Sequence, residues 1–238
     1  MEDLRVLLWD IDGTLVRSRR VNAFHDYTVP VLESIFGTAG RLVALQVSGM
    51  TDLQIVAEAL RDEGFTREQI RERVGELRER YVAELERAAS SAGEPLFQVL
   101  PGARDALAAA DKHPRYRSAL LTGNIEPAAK LKMRLVGLSD FFTLPGAFGD
   151  ESHDRSDLPA LAARRIRQHL NLELRPSQFV VIGDTPNDIA CARHFGARVL
   201  AVGTGRVNSA ATLLPHSPDA FLPDLSDTEL FMRTLEKM

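Results

Sequence analysis

Leu4–Trp9 is a short, nearly continuous apolar run that stops at Asp10, the pattern of a strand buried on both faces of a sheet. Gly13 follows as a turn. From about Val16 to Gln98 the apolar spacing lengthens to a helical period. Thr51-Asp52-Leu53-Gln54 and Thr66-Arg67-Glu68-Gln69 both read as capping boxes, which predicts helices near residues 52–63 and 67–90. Gly64 sits where a helix C-cap belongs. Pro30 is expected to kink or divide the first helix of this stretch, because its ring removes a backbone donor.

The second half alternates. Tyr116–Leu121 reads as a strand, with a helix from about Pro127. Phe179–Ile182 reads as another, with a helix from Pro186 that stops near Gly196. Arg198–Val202 is a third. Strands alternating with helices predict an α/β fold with a doubly wound, Rossmann-like parallel sheet covered on both faces. The helical stretch after the first strand is too long for a crossover and is read as a small inserted cap. The expected division is a catalytic core of 1–15 and 96–238 with a helical cap of 16–95, and Ser90–Gly93 is the candidate return hinge.

Composition changes this picture little. A chain of 238 residues with 45% hydrophobic and 26% charged residues can bury a sizeable core without covalent staples. One cysteine excludes an internal disulfide and fits a reducing compartment. The acidic start, the short first apolar run and the lack of a bilayer-length stretch predict a cytoplasmic protein with no membrane association. The net charge of −4 argues against a general nucleic-acid binder. Oligomeric state is left as monomer or homodimer.

Three polar segments follow three of the predicted strands. They are Asp10-Ile11-Asp12-Gly13-Thr14, Thr122-Gly123-Asn124 and Gly183-Asp184-Thr185-Pro186-Asn187-Asp188. In an open parallel sheet the carboxyl ends of the strands share one crevice, so these segments should converge. Asp10, Asp12, Asp184 and Asp188 then place four carboxylates together, which requires protonation or a cation. Oxygen ligands without a His–Cys cluster suit Mg²⁺ beside a phosphorylated substrate. A carboxylate can act as nucleophile and form an aspartyl-phosphate, and a second carboxyl can protonate the leaving oxygen and then activate water. Asp10 and Asp12 are placed for these roles. Thr122, with the amides of Gly123 and Asn124, can bond the phosphoryl oxygens.

These segments resemble the motifs of the haloacid dehalogenase superfamily, in particular its phosphoglycolate-phosphatase-like members with a helical cap after the first strand. Asp10–Leu15 is similar to the first motif, Leu121–Asn124 to the second, and Gly183–Asp188 to the fourth; the likeness runs from residue 4 to about 205. The resemblance implies that Asp10 is the nucleophile, and that Mg²⁺ is held by the Asp10 side chain, the Asp12 carbonyl and Asp184, with Asp188 in support. An acid at position 12 implies a phosphatase or phosphomutase rather than a dehalogenase, phosphonatase or ion pump. The Asp and His that mutases carry shortly after the first motif do not align, which favours a phosphatase acting on a small phosphorylated metabolite. Ser48–Asp52 resembles a cap loop that helps define the site, so Gly49, Met50 and Thr51 become candidate substrate contacts.

The superfamily's third motif is usually a lysine, yet no lysine occurs between Lys132 and Lys237. Arg155, in Gly149–Ser156, is the candidate substitute, with Arg164 and Arg165 as alternatives; arginine can bridge phosphate and carboxylate with a different geometry. The missing lysine also motivates a reading from another class, a catalytically idle module that binds a phospholigand or partner. Arg17, Arg19 and Arg20 are read as an exposed basic edge, His153 as a surface loop residue, and Cys191 as a small core residue.

Overall fold

The computed structural model describes residues 4–20, 23–91, 93–206 and 208–238. The chain runs β1 (Arg5–Trp9), β2 (Val16–Ser18), α1 (Ala23–Phe36), α2 (Asp52–Ala59), α3 (Arg67–Glu72), α4 (Val74–Ser91), β3 (Phe97–Val99) and α5 (Ala103–Lys112). It continues with β4 (Tyr116–Leu120), α6 (Glu126–Leu135), α7 (Leu158–Leu170), β5 (Phe179–Gly183), α8 (Pro186–Phe195), β6 (Arg198–Val202), α9 (Ala210–Leu213), β7 (Ala220–Leu222) and α10 (Thr228–Lys237).

Five strands form one parallel sheet in the order β4-β1-β5-β6-β7. Alternation along β1 divides the core between the two faces: Leu7 and Trp9 enter one apolar cluster, Val6 and Leu8 the other. Each large side chain buried this way contributes about 1.5–3 kcal/mol relative to exposure. Trp9 pairs in register with Leu120 of β4 and with Ile182 of β5. The three loops that leave these strands therefore start at the same height.

Helices α1–α4 are inserted between β2 and β3, two short strands that pair antiparallel with Val16 opposite Val99. The helices bury a second cluster, including Tyr27, Leu53, Val56, Leu77 and Tyr81, which Ile125, Ala128 and Leu131 join from the N-terminal cap and body of α6. Thr66 closes the expected capping box with Gln69. Thr51 caps α2 from one side only, its hydroxyl accepting from the Gln54 amide at 3.1 Å.

Several local expectations are corrected. Pro30 lies inside α1 and does not divide it, since the helix is continuous from Ala23 to Phe36. The helix expected at 67–90 is interrupted at Arg73, giving α3 and α4. The helix expected at 52–63 ends at Ala59 and passes into a tighter turn over Arg61–Glu63. Ser90 and Ser91 belong to α4, and the return crossing is made by β3 instead. Ala92 of the expected hinge, like Met1–Asp3 of the expected core, lies outside the described residues.

The helical insert is seated on the loops of the sheet. The amides of Asp52 and Leu53, free donors in the first turn of α2, bond the carbonyls of Gly123 at 2.7 Å and Gly149 at 3.1 Å. The Asp52 carboxylate accepts from the Ile125 amide at 2.7 Å. Arg78 of α4 reaches Asp150 at 2.5 Å. His153 is buried, with Nδ1 at 3.0 Å from the Leu53 carbonyl, and so is not the surface residue its loop position suggests.

Burial pushes the Asp52 carboxyl up to about 7, whereas an unfolded aspartate titrates near ~3.9. Between these values the folded chain holds a proton that the unfolded chain lacks. Stability is therefore lost as pH rises through this window, and the loss is complete above about 7. Asp52→Asn keeps an oxygen for the Ile125 amide and never ionises. Its stability relative to wild type should improve by roughly 3 kcal/mol between pH 5 and pH 8, since each tenfold difference in proton affinity is worth ~1.4 kcal/mol. Urea unfolding of both proteins at the two pH values checks this, and an unchanged difference would contradict it.

Candidate active site

The loops that leave β1, β4 and β5 meet at the carboxyl edge of the sheet, as the strand register requires. The Asp10 amide donates to the Ile182 carbonyl at 2.9 Å and the Leu121 amide to the Trp9 carbonyl at 2.8 Å, so each loop begins from a fixed backbone. Gly13, at φ +90°, allows the first loop to turn over Asp184; a Cβ there would lie 2.4 Å from Asp184 Oδ2.

Asp10, Asp184 and Asp188 each offer a carboxylate oxygen within 4.8 Å of the others, and all three residues are buried. Arg155 enters this cluster from the turn ahead of α7. Its Nη2 donates to Asp10 Oδ1 at 2.9 Å and to Asp188 Oδ1 at 2.5 Å. The guanidinium itself is only 6% exposed, so these are ion pairs removed from water. The alternatives lie elsewhere: Arg165 pairs with Glu151 at 2.9 Å and bonds the Gly146 carbonyl, and Arg164 is exposed.

One guanidinium cannot balance three buried carboxylates. Burial, ahead of Arg155's opposing charge, pushes the Asp10 carboxyl up to about 7. Asp184 is raised well above the usual range, by burial first and then by Asp10 and Asp188; the Thr14 hydroxyl donates to it at 3.1 Å. Asp188 is better satisfied, since Oδ2 also accepts from the Thr185 amide at 2.9 Å and hydroxyl at 2.7 Å. A close set of hard oxygen donors with excess negative charge fits a divalent cation. Asp10, Asp184 and Asp188 are the side chains that would hold it.

The Asp12 carboxylate is not part of this set. It turns toward α6, where Oδ2 accepts from Lys132 Nζ at 2.7 Å and from Asn124 Nδ2 at 2.7 Å. Two acids separated by one residue thus face different partners, which is what separate nucleophilic and proton-transfer roles need. Lys132 is a residue that sequence reasoning misses. The available signal is its place on the buried stripe of α6, at i+4 from Ala128 and i+3 from Ala129.

Thr122 is fully buried and its hydroxyl accepts from Asn124 N at 3.3 Å and Nδ2 at 3.0 Å. Gly123 cannot be larger here, because a Cβ would lie 2.0 Å from the Met50 carbonyl oxygen. From the insert, Gly49 presents its carbonyl to Asn187 at 2.9 Å and to Arg155 Nη1 at 3.4 Å. Met50 sits against Gly123, whereas the Thr51 hydroxyl is used as the α2 cap. Arg17 bonds the Thr204 carbonyl, while Arg19 and Arg20 are exposed and Arg20 pairs with Asp26 at 3.2 Å. Cys191 is buried beneath the acids and its thiol is pushed up to about 12 by burial.

Among the described residues no helix is long and apolar enough to cross a membrane. Solved structures share the fold. A haloacid dehalogenase-like hydrolase from Streptococcus pneumoniae superposes with a TM-score of 0.62 at 21% identity, covering 98% of this chain and 100% of that one. A predicted phosphoglycolate phosphatase from Haemophilus somnus gives 0.61 at 18% identity over 98% and 99%. A β-phosphoglucomutase from Clostridium difficile gives 0.68 at 15% identity over 98% of each chain. Comparison with curated proteins returns no match.

The model of the family described as haloacid dehalogenase-like hydrolase matches residues 7–193, a span that opens within β1 and closes within α8. Every member of the acid cluster, together with Arg155, Thr122 and Lys132, falls inside it. The chain belongs to the haloacid dehalogenase-like hydrolases.

Proposed function

We propose that this hydrolase is a Mg²⁺-dependent phosphatase that cleaves small phosphorylated metabolites through an aspartyl-phosphate on Asp10. The observation that carries the reading is Arg155 bridging Asp10 and Asp188 inside a buried, charge-rich acid set. A fixed cation beside the nucleophile and a divalent cation opposite it can together neutralise a phosphoryl group during transfer. Mg²⁺, held by the Asp10, Asp184 and Asp188 side chains and the Asp12 carbonyl, would supply that second charge and orient the phosphate.

The protein's own groups divide the work. A carboxylate oxygen of Asp10 attacks phosphorus as the ester oxygen leaves, and Asp12 gives that oxygen a proton. A water molecule then attacks phosphorus and passes a proton back to Asp12, the bond to Asp10 breaks, and inorganic phosphate is released. Thr122 with the Gly123 and Asn124 amides would bond the phosphoryl oxygens. Gly49 and Met50 would border the substrate from the insert, while Thr51 shapes that loop as a helix cap. We take the β2–β3 ribbon as the hinge on which helices α1–α4, the cap, open and close.

Support also comes from the neighbours in fold, which include a predicted phosphoglycolate phosphatase. A phosphomutase reading draws on the likeness to a β-phosphoglucomutase; it requires isomerised sugar phosphate with little free phosphate as product. The idle-module reading rests on a missing lysine, and Arg155 supplies a cation at the acids. Its location is taken as the cytoplasm, on the single cysteine and acidic character, as a monomer or homodimer.

Purified protein should release phosphate from a panel of phosphorylated metabolites only with Mg²⁺ present, and chelation should stop the release until Mg²⁺ is restored. Asp10→Asn should reduce turnover by roughly 10³-fold or more, the scale of losing a nucleophile. Wild-type turnover by that variant would remove Asp10 from its role.

Arg155→Met should leave two buried acids without their cation and destabilise the metal-free protein by roughly 3 kcal/mol. Arg155→Lys should restore part of the loss, and Mg²⁺ should narrow the gap between Arg155→Met and wild type. Urea unfolding with and without Mg²⁺ measures this; equal stability of all three proteins would count against the charge-balance argument.

A further inference from the structure

Lys132 is 3% exposed, and its ammonium makes an ion pair with a carboxylate whose side chain is 42% exposed. A buried lysine is costly unless its charge is matched. Its surroundings match it: the Phe97 ring lies 5.4 Å away, and the Tyr27 and Asp52 side chains of the insert lie close by. Asp52, a buried acid on the insert, spends Oδ2 on the Ile125 amide at 2.7 Å. The direct ion pair of Lys132 goes to Asp12 instead, across the boundary between buried and wetted space.

Both donors on Asp12 reach the same oxygen. Lys132 Nζ and Asn124 Nδ2 each lie 2.7 Å from Oδ2, and Oδ1 receives neither. A carboxylate in a loop at a solvent-facing edge can otherwise rotate among several rotamers, and proton transfer needs one fixed distance and direction. Two donors converging on one oxygen supply that constraint and leave the second oxygen as the proton carrier.

We propose that Lys132 is a positioning residue that locks Asp12 through Oδ2, so that Oδ1 delivers the proton to the leaving oxygen and later accepts one from water. This rests on the phosphatase reading. In the first step the bond from phosphorus to Asp10 forms, the ester P–O bond breaks, and the proton on Oδ1 moves to the departing oxygen. In the second, water attacks phosphorus, its proton moves to Oδ1, and the bond to Asp10 breaks with its electron pair returning to the carboxylate.

The leaving group gives a readout that a purely structural lysine would not move. An alkyl phosphate needs its leaving oxygen protonated, whereas p-nitrophenyl phosphate departs as a stable anion. For Lys132→Met, kcat/KM on a reactive alkyl phosphate should fall by roughly 10²-fold, the scale of a misplaced catalytic group. On p-nitrophenyl phosphate kcat/KM should fall by less than roughly tenfold. Acid-quenched phosphoenzyme should accumulate on that substrate, because water activation also slows. Lys132→Gln, neutral and able to donate to Oδ2, should recover part of the alkyl rate, and it serves in place of Lys132→Met if the latter does not fold. Equal losses on both esters, or a change confined to KM, overturn the positioning role while leaving the phosphatase intact. No Mg²⁺-dependent turnover of either ester by the wild-type protein overturns both.

Discussion

Excess negative charge held away from water is the constraint around which this molecule is organised. Asp10, Asp184 and Asp188 lie buried within reach of one another with a single guanidinium between them. Such a set would be unfavourable in any loosely built loop, since each carboxylate would escape to solvent. It persists because Asp10 leaves a strand hydrogen-bonded on both sides, Asp184 follows the neighbouring strand, and Asp188 is fixed in the capping box of α8. The parallel sheet is therefore the device that holds like charges together, and the uncompensated charge is what a divalent cation and a phosphoryl group would relieve.

A second buried charge system lies beside the first, and it is of opposite character. Lys132 is ion-paired with Asp12 and has Asp52 and Tyr27 beside it, so here a buried cation has its counter-charge. Asp10 belongs to the acid-rich set and Asp12 to the lysine set, although only Ile11 separates them. Fully buried Ile11 anchors the turn between them and sends the two carboxylates apart. Chemically equivalent side chains acquire distinct roles from such differences in surroundings.

Much of this is legible from residues alone, and what is not has physical reasons. Strands β1, β5 and β6 carry enough consecutive apolar residues to announce burial on both faces, and Thr66 and Gly196 mark helix ends by their own chemistry. Strands β2, β3 and β7 are three residues long, too short for any period to register. Pro30 does not divide α1, because the penalty for its ring is outweighed by the packing of Tyr27, Val31 and Leu32 around it. Arg155 can be nominated because the acids require a cation. His153 and Lys132 cannot be placed, since their partners, the Leu53 carbonyl and Asp12, are brought to them only by tertiary folding.

The same loops that build the site also seat the helical insert, and the nature of those contacts bears on how the site can admit a substrate. The seat combines apolar packing of the insert against Ile125, Ala128 and Leu131, the Arg78–Asp150 ion pair, and backbone bonds: the Asp52 and Leu53 amides on the Gly123 and Gly149 carbonyls, and the Gly49 carbonyl beneath Asn187 and Arg155. The two amides are first-turn donors of α2 with no intrahelical acceptor, so on separation they bond water instead. Exchanging a protein hydrogen bond for a water bond changes free energy by only about 0.5–1.5 kcal/mol. Glycine at 123 and 149 permits the close backbone approach at these two bonds. The polar bonds of this interface thus have ready replacements in water, whereas its apolar contacts with α6 do not, so any opening of the insert would be opposed mainly by the exposure of Ile125, Ala128 and Leu131 and their partners.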